Sequence, residues 1–237
     1  MNNKSNVIEL LDEARALLAG IKQAYVQAKT AESVVVVARP KVKSCLEHLR
    51  SALDYIAHDL LEITDPPKRP KRVYFPYGDD AKLYQDSLKR NLPGLDLKYY
   101  SALESLQPHA CGDDWLIQLC HVTNFNKHIR LENQVRQNSP ESTTNLGNLV
   151  HGIGPGSQVV FDNCFYNGRP IARSGRLVVT SDKPVAEIER ELDAPIPVHR
   201  EYKWVKFVLT GSGIDVLELL QKSHDRIRGF TDEVYSI

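Results

Sequence analysis

Apolar residues recur at spacings of three and four along much of the first half of the chain. Over residues 6–29 and 40–63 they mark one face of each segment and predict two long amphipathic helices. Asn6 is expected to cap the first helix, because a glutamate follows it at capping-box spacing. Aspartates begin two shorter predicted helices over residues 79–90 and 96–106, and proline or glycine follows each of them.

The pattern changes in the second half of the chain. Residues 133–147 are polar and rich in turn formers, which makes them the best linker candidate. Asn167-Gly168 is a strong signal for a two-residue hairpin turn between two of the predicted strands. A β-branched run at residues 34–37 predicts a further small edge strand. The strands predicted after the linker lie at residues 157–166, 169–172, 176–180 and 202–210, the last apolar on both faces and expected to be central.

Ser212 and Asp215 are expected to cap a closing helix whose apolar seam continues to Ile237. That seam needs a partner, which is either the small sheet or the bundle. The patterns therefore predict an α+β protein. Its N-terminal helical bundle covers residues 1–136, and a small antiparallel β-sheet with the closing C-terminal helix covers residues 137–237 and packs on the bundle.

Composition narrows the chemistry mainly by exclusion. The 30 lysines and arginines balance 30 aspartates and glutamates, so no global field draws the chain to DNA or anionic lipid, and any nucleic-acid contact has to be local. The four cysteines form no C-x-x-C pair and match no common zinc-finger spacing, which indicates reduced thiols and no metal site. Without a signal-like N-terminus or an apolar run of about 18 residues, the protein is expected to be cytoplasmic, with no membrane partner and no cofactor.

Residues 115–131, WLIQLCHVTNFNKHIRL, predict a fifth helix that is apolar nearly all round and still carries polar side chains. Such a helix belongs inside a bundle, where buried polar groups need protein partners or a ligand. On a helical wheel Asn126 falls within the apolar face, and Lys127 and Arg130 flank that face. A second stripe on this helix holds His121, Asn124 and His128. The sequence therefore predicts either a functional site or a buried structural network here.

The second predicted helix carries Arg50, Asp54 and His58 at every fourth position, so the carboxylate can pair with both cations. A surface ion-pair ladder is the simplest interpretation of Asp54 and His58. The basic, proline-rich connector at residues 65–72 is interpreted as a solvated loop in preference to a phosphate contact.

One pocket forms if the second and fifth helices face each other. Its predicted catalytic residues would be His128 as acid–base, Lys127 and Arg130 on a phosphate, and Arg50 with Asp54 as orienting groups. That set suits metal-free RNA cleavage, because a histidine moves protons at neutral pH while cations stabilise charge on the phosphate. It also suits simple anion binding. The remaining polar residues of these helices, predicted to bind the ligand, are Asn126, Asn124, His121 and His58.

Several short motifs also occur in a recognisable order. HLRSALDYIAHDL, YFPY, ALESLQPH and the fifth-helix segment resemble a large group of uncharacterised bacterial proteins that carry LRSALD, FP, LQP and W…L…DKHR in that order, over roughly residues 34–131. This chain has Asn126 where the group tends to have aspartate. The matching positions are 49–54, Phe75-Pro76, 106–108, Trp115 and Lys127-His128.

The helical half is also similar to HEPN domains, which are helical bundles frequent in bacterial toxin and phage-defence ribonucleases. Their hallmark is an arginine followed on the same helix by a histidine, for which Arg50 and His58 are the nearest match. The resemblance implies a metal-independent ribonuclease or a nucleotide-binding effector of bacterial defence, with RNA or a nucleotide as partner. The alternative is a non-catalytic module that oligomerises or binds a partner and whose polar helix is a structural network. A homodimer is expected from the frequency of symmetric oligomers.

Overall fold

The computed structural model describes the backbone of residues 2–128 and 132–237, and the side chains of residues 2–126 and 132–237. Within this part of the chain the protein forms eight helices and nine short strands, which confirms the predicted α+β class. The helices are α1 (Lys4–Ala28), α2 (Arg39–Thr64), α3 (Ala81–Asn91), α4 (Leu97–Glu104), α5 (Pro108–Cys111), α6 (Trp115–His128), α7 (Val185–Glu191) and α8 (Val216–Val234). The strands are β1 (Gln134–Asn138), β2 (Ser142–Leu146), β3 (Val150–Ile153), β4 (Gln158–Asp162), β5 (Phe165–Tyr166), β6 (Arg169–Pro170), β7 (Arg176–Thr180), β8 (Val198–Tyr202) and β9 (Val205–Leu209).

Aspartate side chains begin three of the helices, as the sequence predicts. Asp80, Asp96 and Asp215 each accept a hydrogen bond from a backbone N–H two or three residues later, which satisfies a donor that has no partner within the helix. The predicted start of α1 is wrong. This helix begins at Lys4, because the carbonyl of the residue before it accepts the first helical hydrogen bond, so Asn6 lies within the first turn.

The chain divides into two compact units. The first contains the described parts of residues 1–22, 38–134 and 208–237 and is mainly helical. In it α2 contacts both α6 and α8, and the ring of Phe230 on α8 packs edge-on against Phe75 with centroids 5.5 Å apart. Of the two partners that the sequence left open for the closing helix, the structure therefore shows the bundle. The domain boundary predicted after residue 136 stays a prediction.

A fully buried carboxylate anchors both ends of the first unit. Asp59 on α2 accepts hydrogen bonds from the backbone N–H groups of Asn2 and Asn3, at 3.1 Å, and from the Tyr235 hydroxyl, at 2.7 Å. Burial raises the pKa of the Tyr235 hydroxyl, and the hydrogen bond to Asp59 raises it further. Because the charge has several donors, its burial is compensated.

Gly78 permits a close backbone approach between the segment before α3 and the first turn of that helix. A Cβ placed on Gly78 would lie only 2.2 Å from the backbone nitrogen of Tyr84. Because moving the backbone at Gly78 or at Tyr84 would cost free energy, only glycine fits at this position.

The second unit contains residues 23–37 and 135–207 and holds most of the strands. β2 pairs antiparallel with β3 and β8, β4 pairs antiparallel with β7, and β5 with β6 forms a small hairpin. Asn167 and Gly168 connect that hairpin with φ values of 51° and 79°, the left-handed conformation that the predicted turn requires. The core of this unit consists of Leu146, Ile153, Phe161, Ile171, Ala172, Leu177, Val179, Ile188, Leu192, Ala194, Ile196 and Val198.

Three predictions about strands are wrong, and for the first of them partners distant in sequence decide the backbone. The proposed linker 133–147 contains β1 and β2, which are held by β9, β3 and β8. The single strand predicted over 202–210 is interrupted between β8 and β9, and the alternating burial of β9 excludes a strand covered on both faces. The run at residues 34–37 forms no strand, and Val35 and Val36 are exposed.

Candidate functional site

Residues of the LRSALD, FP and LQP motifs lie together beside α2, around the segment 73–77. Asp54 on α2 accepts a hydrogen bond from the backbone N–H of Phe75 at 2.8 Å. Its carboxylate also pairs with Arg50 one helical turn away, at 3.2 Å. Gln107 donates its amide N–H to the carbonyl of Pro76 at 3.2 Å. The segment is therefore fixed from both sides by side chains of the LRSALD and LQP motifs.

Arg50 links this segment to α6. Its side chain is 13% exposed, its Nη1 donates to Cys120 Sγ, and its guanidinium lies over the ring of Tyr77 at 5.2 Å. Burial acts to lower the pKa of Arg50, but the interactions with Cys120, Asp54 and Tyr77 outweigh it, so the pKa is raised and the charge is retained. We call the group Arg50, Asp54, Tyr77, Cys120 and Asn124 the Arg50 cluster.

Neither Cys120 nor Tyr77 in the Arg50 cluster is activated for chemistry. Burial raises the pKa of the Cys120 thiol to about 11, although Arg50 opposes the shift, so the thiol is neutral at physiological pH and a poor nucleophile. Burial also raises the pKa of the Tyr77 hydroxyl, which is hydrogen-bonded to Asn124. Because Arg50 is paired with Asp54 and donates to Cys120, this cluster has the chemistry of a structural network.

A separate basic depression lies at the other end of the same stripe of α2. It has a volume of about 500 Å³, within the roughly 300–1,000 Å³ of small-molecule sites. We call it the His58 groove; it is lined by His58, Leu61, Arg69, Pro70, Lys71, Arg72, Val73 and Tyr74.

The cations of the His58 groove differ in how far they are neutralised. Arg69 pairs with Asp65 at 2.8 Å. Lys71 and Arg72 are exposed, and within the described part of the chain no carboxylate lies within 4.0 Å of either one. Two cations without a carboxylate partner and a histidine therefore line one concave surface, an arrangement that attracts anions.

Two further predicted residues of α6 lie elsewhere. His121 is exposed and lines a cavity of about 520 Å³ with Phe125 and residues 210–212. Asn126 is buried, as its position on the apolar face predicts, and its amide oxygen accepts the backbone N–H of Glu132 at 2.8 Å. This hydrogen bond of Asn126 joins the backbone at residue 132 to α6.

The predicted site is only partly assembled among the described residues. Arg50, Asp54 and Asn124 share one cluster, whereas His58 and His121 line two different depressions. The carboxylate of Asp54 pairs with Arg50 alone, so the predicted ladder to His58 is not seen in the described ion pairs. The side chains of Lys127 and His128, and the whole of Arg130, lie outside the described residues.

Sequence reasoning missed Tyr77 and Cys120 as members of the Arg50 cluster, and for the connector that carries Lys71 and Arg72 it favoured a solvated loop over a phosphate contact. The aromatic run of residues 73–77 could have pointed to Tyr77, since an aromatic beside two motifs is a natural partner for an arginine. Cys120 carries no such signal, because an apolar helix face is the ordinary place for a buried thiol.

The comparisons with known proteins add no relative: no family model, curated protein or solved structure matches this chain. Within the described residues no helix has the length and apolarity needed to cross a membrane. The same part of the chain contains no group of three histidines, cysteines or carboxylates placed to hold a metal ion.

Proposed function

We propose that the helical unit binds the phosphate groups of RNA or of a nucleotide in the His58 groove, as the binding step of a metal-independent ribonuclease or nucleotide-binding effector of bacterial defence. The observation that supports this proposal is the presence of Lys71, Arg72 and His58 around one concave surface, with the two cations lacking a carboxylate partner among the described residues. Lysine and arginine hydrogen bonds to phosphate are charge-assisted and stronger than neutral ones. A local basic site is also the form of nucleic-acid contact that a chain of zero net charge allows.

The cleavage step of this proposal assigns His128 as the group that takes and returns a proton. Lys127 and Arg130 would stabilise the charge that develops on the phosphate. Arg50 and Asp54 would act as orienting groups by holding α2, α6 and the segment 73–77 together. A His128→Ala variant tests this step: growth of an overexpressing strain and the integrity of its RNA should be restored relative to the wild type. Equal growth and intact RNA with both proteins would remove the ribonuclease proposal.

Binding is tested by the double variant Lys71→Gln/Arg72→Gln with a fluorescent single-stranded RNA of about ten nucleotides. Each cation on a phosphate contributes roughly 0.7 to the slope of log affinity against log salt, so loss of two should reduce the slope by roughly 1.4. The matched control is Arg169→Gln/Arg176→Gln, which removes two exposed cations from the second unit. Identical slopes for the two double variants would contradict the proposed groove.

A second candidate function is a non-catalytic interaction module, and the Arg50 cluster favours it. Its guanidinium has a carboxylate, a sulfur and an aromatic face as partners, so it needs no ligand. In that case Asn126→Leu should lower the melting temperature without altering any bound ligand. The absorbance ratio at 260 and 280 nm of the purified protein separates the two functions, since co-purifying RNA or nucleotide supports the first.

A further inference from the structure

We propose that Tyr74 is a base-stacking platform and that the ligand of the His58 groove is single-stranded RNA in preference to duplex RNA. The inference rests on the proposed phosphate binding in the same groove. In this inference one aromatic ring distinguishes single strands from duplexes. The cations cannot do so, because they attract the phosphates of paired and unpaired strands alike.

The ring of Tyr74 is available for stacking. The residue is 50% exposed and lines the groove beside Lys71 and Arg72. Within the described residues no aromatic ring packs on Tyr74 and no cation lies over it. Tyr77 on the same segment is different, because the Arg50 guanidinium occupies its face.

The backbone that carries Tyr74 is held in place. The N–H of Tyr74 donates to the side-chain oxygen of Asn91 at 3.1 Å, and the N–H of Phe75 donates to Asp54 at 2.8 Å. Val73 and Phe75, on either side, are buried. Residues 73–75 therefore alternate in, out and in, and the ring is presented from an ordered backbone. An already ordered platform has little conformational entropy left to lose when a base binds.

The position of Tyr74 next to two cations matches the chemistry of an unpaired nucleotide. An unpaired nucleotide presents the flat π-face of its base, and its phosphate lies beyond the base. One aromatic ring can therefore stack on the base while neighbouring cations contact the phosphate. In a duplex the base faces are covered by their neighbours in the stack, and the protein meets mainly phosphates and hydroxyls. Stacking on Tyr74 is therefore possible only for a single strand or a frayed end.

The experiment compares wild type, Tyr74→Leu and Tyr74→Trp on three probes. The probes are a fluorescent single-stranded RNA of about ten nucleotides, a duplex of the same length, and inorganic tripolyphosphate measured by calorimetry. We expect Tyr74→Leu to weaken binding of the single strand by about 5- to 150-fold, the effect of losing one stacked base, and Tyr74→Trp to retain it. Tripolyphosphate affinity should be equal in all three proteins, and the duplex should bind wild type more weakly than the single strand.

The control variant is Phe165→Leu, which truncates a 68% exposed aromatic in the second unit and should change none of the three affinities. If Tyr74→Leu leaves single-strand affinity unchanged, or lowers all three affinities equally, the stacking inference is overturned while phosphate binding stands. Equal affinity of wild type for duplex and single strand overturns it as well. If wild type binds neither tripolyphosphate nor RNA, the proposed function itself fails and the inference with it. Because the anchors of Tyr74 are backbone groups, its side-chain variants should keep the wild-type melting temperature.

Discussion

Replacing Asp54 with alanine is the most direct test of the Arg50 cluster. The substitution leaves the guanidinium of Arg50, whose side chain is 13% exposed, without its carboxylate. It also leaves the N–H of Phe75, a residue with no exposed surface, without its acceptor. Both losses leave the surviving partner poorly solvated, so each costs more than the pair contributes when intact.

The expected loss of unfolding free energy follows from the two interactions that Asp54→Ala breaks. Loss of one partner from a buried ion pair costs about 3–5 kcal/mol, and an unsatisfied buried N–H costs about 1–3 kcal/mol. The carboxylate of Asp54 is 23% exposed and Cys120 remains as an acceptor for Arg50, so the lower ends of both ranges apply. We therefore expect Asp54→Ala to lower the free energy of unfolding by about 4 kcal/mol. Asp54→Asn retains an acceptor for Phe75 and should lower it by about 2–3 kcal/mol.

Urea unfolding followed by circular dichroism measures these changes, provided that the dependence on urea concentration keeps the same slope. The matched control is Glu141→Ala, which breaks the Lys203–Glu141 pair at 2.9 Å, whose side chains are 64% and 62% exposed, and should cost about 0–1 kcal/mol. Adding Arg50→Met to Asp54→Ala should recover part of the loss, since the unpaired charge is then gone. A cost for Asp54→Ala no larger than that of the control would refute the description of this cluster as a buried network.

Two other substitutions in the helical unit test the packing around it. Gly78→Ala should lower the free energy of unfolding by about 1–3 kcal/mol or more, because the new methyl overlaps the backbone of Tyr84, and an unchanged urea midpoint would contradict that close approach. Tyr235→Phe should cost about 1–3 kcal/mol near pH 8 through loss of the hydrogen bond to Asp59. Since the pKa of Tyr235 is raised on folding, this stability is complete below about pH 10, the pKa of unfolded tyrosine, and is lost as the pH rises. The difference in unfolding free energy between Tyr235→Phe and wild type should therefore be smaller at about pH 11 than at about pH 8, and an equal difference at the two pH values would exclude the linkage.

The residues of the candidate site were only partly accessible to sequence reasoning. The periodicity of α6 places Asn126 on the buried face, and the structure confirms that burial. The spacing of four residues on α2 likewise places Arg50 beside Asp54, and these two side chains do pair. Both are local relations along one helix. No local relation indicates that Arg50 meets Cys120, because those residues lie 70 positions apart.

The separation of His58 from Arg50 has the same origin. The two residues share a stripe on α2, and the segment 73–77 runs along that stripe, with the N–H of Phe75 bonded to Asp54 between them. Tyr77 covers Arg50, and Tyr74 stands beside His58. The route of a connector over a helix depends on where its backbone N–H groups find acceptors, here Asp54 and Asn91, and a one-dimensional pattern does not contain that information.

What the sequence determined by itself is the helical content of the first half, three aspartate caps, the Asn167-Gly168 hairpin and the α+β class. These follow from hydrogen bonds and side-chain periods that are complete within a few residues. The tertiary structure alone decided that polar residues 133–147 form strands, that α8 packs in the helical unit, and that Lys71 and Arg72 line a groove with His58. Each of these depends on partners far away in the chain, and the free energy of such contacts overrides local preference.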